Sequence, residues 1–141
     1  MGYYSSKRIK QEDPYLLKKD NFQRPDKEKL NKLLDELTNY NHNYYKDFYI
    51  NKGGIGNIYI RRSFRHDNRN QIFNNIKQKN LIILKERELY CDNEIAINLN
   101  SGTDNGEQYF SIAASWSYDN KCREYLLGGL HPRALQNSQV Q

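Results

Sequence analysis

The stretch FSIAASWSY, Phe110 to Tyr118, decides the fold. Phe110, Ile112, Ala114, Trp116 and Tyr118 fall on one side of an extended chain, and Ser111, Ala113, Ser115 and Ser117 on the other. A period of two with one bulky apolar side and one small polar side is half-buried antiparallel sheet, with one face on a core and one on water. Working back, the loop Asn100 to Gly106 is dense in turn residues. Before it, Ile95, Ile97 and Leu99 alternate with Ala96 and Asn98 in a second strand. The run Leu81-Ile82-Ile83-Leu84 leads into Lys85-Glu86-Arg87-Glu88 as a third, and Cys91-Asp92-Asn93 turns the chain between them.

Further upstream, Asp47 to Ile50 is short and β-prone. Ile58 and Ile60 alternate with Tyr59 and Arg61. The cluster Asn51-Lys52-Gly53-Gly54-Ile55-Gly56 lies between the two runs and reads as a hairpin loop. A glycine-rich loop also suits phosphate, but phosphate-cradling loops lead from a strand into a helix N-terminus, and this one leads into a strand.

Two helices complete the pattern. Pro25-Asp26 opens the first, Leu30, Leu33, Leu34 and Leu37 make its apolar stripe, and Asn39-Tyr40-Asn41 closes it. Residues 68–79 carry a narrower stripe of Ile72, Phe73 and Ile76 after a candidate N-cap, Asp67. A short third helix is expected over 119–127, ending at Gly128-Gly129. The sum is an α+β domain: an antiparallel meander of about five strands with a leading amphipathic helix and one middle helix. It spans 25–130, between an arm (1–24) expected to be mobile and a loose tail (131–141).

The chain has 141 residues, 22 of them basic and 17 acidic, for a net charge of +5. With 37% hydrophobic residues and a mean hydropathy of −1.02 it is very polar, and no apolar run is long enough to span a membrane. Twelve tyrosines supply rings that pack while their hydroxyls stay wet. Asn is abundant beside Lys, Ile and Tyr, a bias of AT-rich coding sequences that suits some viruses, phages and low-GC bacteria. Cys91 and Cys122 form no CxxC pattern and read first as two buried free thiols in a reducing cytoplasm, with one disulfide between them as the alternative. No residue pattern implies a cofactor or a metal.

Residues 61–79 hold six basic residues and one acidic one, so this segment alone carries a charge equal to that of the whole chain. Arg61, Arg62, Arg65, Arg69, Lys77 and Lys79 span a strand end, a loop and a helix, with Tyr59 and Phe64 interleaved. Arginine with aromatics suits nucleic-acid backbones and stacked bases. Guanidinium groups pair equally with carboxylates, so an acidic protein surface fits too. Lys7, Arg8 and Lys10 on the arm are an auxiliary basic cluster. The expected function is non-enzymatic binding to a host protein, nucleoprotein or nucleic acid. Two alternatives stand beside it: a small basic nuclease with His66 as acid–base group, and a protein-binding module whose contact surface is the Tyr-rich segment Tyr40 to Tyr49. Glu86 and Glu88, two apart on one strand, would share a face as the carboxylate pair of a metal-dependent nuclease, although alternating charge there also suits a protected edge strand.

The arm Met1-Gly2-Tyr3-Tyr4-Ser5-Ser6-Lys7-Arg8, the charged helix at 26–39 and Tyr45-Lys46-Asp47-Phe48 before an Ile/Arg strand resemble the layout of small phage anti-CRISPR proteins. The resemblance covers residues 1–65 at most. It implies a non-enzymatic inhibitor that docks on a CRISPR nuclease or its guide RNA. A basic chain does not mimic nucleic acid, so the implied partner is a nuclease–RNA complex or an acidic surface.

Overall fold

The computed structural model describes residues 24–53 and 56–127; the expectations for the arm, including Lys7, Arg8 and Lys10, and for the tail lie outside them. The first helix, α1 (Lys27–Leu37), begins where the Asp26 carboxylate accepts from the Lys29 N–H at 2.9 Å. Its four leucines are buried as the spacing requires. Asn39 and Tyr40 take φ of 54° and 59°, and this left-handed pair ends the helix.

Strands β1 (Lys46–Asn51) and β2 (Ile58–Phe64) form the expected hairpin, with Phe48 opposite Arg61. After α2 (Arg69–Gln78) the chain crosses to the far edge of the sheet. From there β3 (Ile82–Lys85), β4 (Leu89–Asp92), β5 (Ile95–Asp104) and β6 (Glu107–Trp116) meander back until β6 pairs with β2. The order is β1-β2-β6-β5-β4-β3, antiparallel throughout. A short helix, α3 (Lys121–Leu126), follows, with Asn120 as its N-cap.

The sheet has six strands rather than five, because residues 82–92 fold as a hairpin. Its turn is made by Arg87 at φ 68°, a left-handed position with no glycine to announce it. Glu86 and Glu88 therefore sit in a turn and not side by side on a strand face. At the start of α2 the N-cap is Asn68, not Asp67; the Asp67 carboxylate instead accepts from the Arg69 N–H at 3.1 Å.

One face of the sheet carries Ile58, Ile60, Phe64, Ile97, Phe110, Ile112 and Trp116 and packs with the leucines of α1 and Ile72 and Ile76 of α2 into the main core. The opposite face has a small cluster of its own at the β3–β4–β5 end: Cys91, Ala96 and Cys122, with Ile82, Leu84 and Leu89 against them. Here Cys91 and Cys122 are bonded to each other, with Cα atoms 5.6 Å apart. The free thiols expected from the sequence are thus corrected to a disulfide. A separation of 31 residues conceals the fact that α3 folds back over β4. No helix among the described residues is long and apolar enough to cross a membrane.

Candidate partner-binding furrow

Strand parity sorts the basic stretch. On β2, Ile58, Ile60, Arg62 and Phe64 share the core face, while Tyr59, Arg61 and Ser63 share the other. Arg62 is buried, with Nη1 donating to the Asp35 carboxylate at 2.7 Å and Nη2 to the Asn31 side-chain oxygen at 3.0 Å. The Tyr44 ring lies beneath its guanidinium, 5.0 Å from centroid to Cζ. Burial pushes the Asp35 carboxyl up, and the bonds from Arg62 and His42 outweigh it, holding the group below the usual carboxylate range. Phe64 is fully buried and packs edge-on to Tyr44 and His66. Arg62 and Phe64 are therefore core residues and not part of a docking surface.

Arg65 has a different role. Its Nη1 donates to the backbone carbonyls of Asp104 and Glu107 at 3.1 and 3.0 Å, and its guanidinium stacks 4.0 Å over Tyr45. It clamps the tip of the β5–β6 hairpin against the β1 side of the sheet. Lys79 donates to Glu36 at 2.8 Å and ties α2 to α1. Arg69 pairs with Asp67 at 3.0 Å while lying over the Phe110 ring; its side chain stays about half exposed. Arg61 lies over Phe48, with ring centroid and Cζ 5.3 Å apart, and Tyr59 packs edge-on to the same Phe48. Among the described residues, neither Arg61 nor Lys77 makes an ion pair.

Three clefts gather these side chains: two abut each other beside α2 to form a furrow, and the third opens on the opposite face of the sheet. The first, about 490 Å³, lies between Arg69 and Arg87 and is floored by Phe73, Asn98, Asn100 and Phe110. The second, about 320 Å³, shares Arg69, Ser101 and Phe110 with it and adds Arg65 and His66. The third, about 210 Å³, touches Thr103 and Tyr109 from the other side of the hairpin and holds Lys46, Arg61 and Asp104 on the open face of the sheet. Sequence reasoning missed Arg87. It sits within a Lys-Glu-Arg-Glu run that reads as a charged strand, and only the left-handed turn aims its exposed side chain at Phe73, 5.3 Å from the ring centroid. Arg87 too has no ion-pair partner among the described residues.

Three guanidinium groups, those of Arg61, Arg69 and Arg87, each rest on a phenylalanine ring. A ring beneath a guanidinium holds its plane and leaves the N–H fork at the rim, the geometry that takes phosphate or carboxylate oxygens; in Arg69 that fork, through Nε and Nη2, is turned to the Asp67 carboxylate. His66 is exposed, with Nε2 3.0 Å from the Asn41 amide nitrogen. Its neighbour Asp67 is engaged by Arg69 and so does not orient the imidazole as a base partner would. Among the described residues no cluster of His, Cys, Asp or Glu is arranged to hold a metal ion. No protein-family model, curated protein or solved structure matches the chain.

Proposed function

We propose that this is a non-enzymatic binding protein that docks its arginine furrow on a phosphate-bearing partner, either single-stranded nucleic acid or a host nucleoprotein. The observation that carries the reading is a set of ring-supported guanidinium groups: Arg69 and Arg87 on two abutting clefts, and Arg61 on a third cleft across the β5–β6 hairpin. Phosphate contacts supply affinity without sequence preference, and the Asn98 and Asn100 amides beside Arg87 offer donors and acceptors to base edges. The resemblance of residues 1–65 to phage anti-CRISPR proteins makes a CRISPR nuclease–guide RNA complex the nucleoprotein to test first.

The test is fluorescence anisotropy with a labelled mixed-sequence single-stranded RNA, and with a guide-loaded nuclease before and after ribonuclease treatment. The expected result is binding to the RNA or the loaded complex, lost on ribonuclease treatment and lost in an Arg61→Ala, Arg69→Ala, Arg87→Ala triple variant. Binding that survives both changes points to a protein surface and sinks the phosphate reading. Absence of binding to either target sinks it as well.

One observation favours a second, protein-directed surface. Of the six large hydrophobic residues exposed among the described residues, Tyr40, Tyr45, Phe48 and Tyr49 lie in one ten-residue segment.

A further inference from the structure

Strand β1 ends the sheet, and five of its six residues are exposed. Its inner edge is fixed by β2. Lys52, just past the strand, donates its N–H to the carbonyl of its register partner Asn57 at 2.8 Å. Alternation along an antiparallel ladder then turns the backbone groups of Lys46, Phe48 and Ile50 towards β2, and those of Asp47, Tyr49 and Asn51 outwards. Those outward groups have no strand partner among the described residues. Exposed edges are usually blunted by proline, bulges or closely spaced charge. Here the middle of the strand is Phe48-Tyr49-Ile50, with Phe48 and Ile50 on one face and Tyr49 on the other.

We propose that β1 pairs with the β1 of a second copy of this chain, antiparallel, about a two-fold axis through Tyr49. This register is the one in which the strand complements itself. Tyr49 meets Tyr49 and Asp47 meets Asn51 as hydrogen-bonded pairs, giving about six main-chain hydrogen bonds. Phe48 meets Ile50 twice, on the face where Tyr59 and Arg61 continue the row. The like-charge encounter, Lys46 with Lys52 at the ends, is relieved because Asp104 holds the Lys46 ammonium at 3.3 Å. The neighbouring register, centred on Phe48, keeps one apolar pair, Phe48 with Phe48, but sets Lys46 against Ile50 twice and Asp47 against Tyr49 twice. Six residues a side make a small contact, so the dimer is weak and depends on concentration. The product is a continuous twelve-stranded sheet, twice the six of one chain, with two arginine furrows related by the axis.

Sedimentation velocity on the full chain without any partner, across micromolar to millimolar concentration, reads the association directly. The position is read by cross-linking. In the proposed register the two Tyr49 Cα atoms stand about 5.5 Å apart, within disulfide reach. Tyr49→Cys is then expected to form a cross-linked dimer under mild oxidation and Phe48→Cys to do so far less; the native cysteines are already bonded to each other. A Phe48→Lys, Ile50→Lys variant should be monomeric, and Phe48→Lys, Ile50→Glu should recover the dimer, because Lys then faces Glu across the axis. A wild-type chain that stays monomeric throughout, or equal cross-linking at 48 and 49, overturns the proposal.

Discussion

Arg61 and Arg62 are adjacent in sequence, and strand parity sends them to opposite faces of one sheet. On the helix-covered face the charge is met by a carboxylate, an amide oxygen and a ring: Asp35, Asn31 and Tyr44 enclose Arg62. On the open face Arg61 has a phenylalanine ring beneath it and makes no ion pair among the described residues. The same residue type is thus architecture on one face and available chemistry on the other. A concentrated charge in a sequence is therefore a surface feature only after its parity is known.

The largest effect is expected from breaking the buried side of this comparison. Asp35→Ala leaves the Arg62 guanidinium enclosed without its counter-charge, and loss of one partner of a buried pair costs about 3–5 kcal/mol. Urea unfolding followed by circular dichroism measures it; a loss well under 1 kcal/mol would show that Arg62 reaches water. The same pair sets an acid limit. The Asp35 carboxyl is held below its ordinary value, so its contribution is complete above about pH 4 and is lost as pH falls through the lowered folded value. Between pH 4 and pH 2 the wild type should lose more stability than Asp35→Asn, which has no carboxyl to protonate. Parallel pH profiles would contradict the assignment.

A smaller but still large effect belongs to the second face. The Cys91–Cys122 bond closes a loop of about 31 residues, for which chain-entropy arguments give about 3–4 kcal/mol. Reduction, or Cys91→Ser with Cys122→Ser, should lower the melting temperature and should expose amides of β4 and α3 to hydrogen exchange before those of α1. Uniform exchange across the chain would mean that the bond braces the whole domain rather than this corner. The smallest effect is on the open side of β2: Arg61→Ala should change stability by no more than about 0.5 kcal/mol, since nothing folded depends on its charge.

Most of the frame was legible because it rests on period. The alternation at 110–118 and the leucine stripe at 30–37 gave the core faces, since a two-residue and a 3.6-residue repeat cannot be satisfied by the same backbone. The sixth strand was not legible, because its turn uses Arg87 in a left-handed conformation instead of a glycine. Nor was the disulfide, which depends on α3 returning over β4 rather than on any spacing. The site was half legible. Arg62 shares parity with Ile58, Ile60 and Phe64, so its burial was open to reading from β2 alone. Arg87 was not, since a charged run gives no sign of where a turn will aim its side chain.

In the proposed function the guanidinium groups left free by the fold, and not the charge of the 61–79 stretch as a whole, hold a phosphate-bearing partner. The salt dependence of RNA binding tests it most directly, comparing wild type with an Arg61→Ala, Arg87→Ala double variant. On single strands each phosphate contact contributes about 0.7 to the slope of log affinity against log salt. Weaker binding is expected, with a slope shallower by about 1.4 for the two lost contacts and an unchanged melting temperature. Wild-type affinity and slope in the double variant would contradict it.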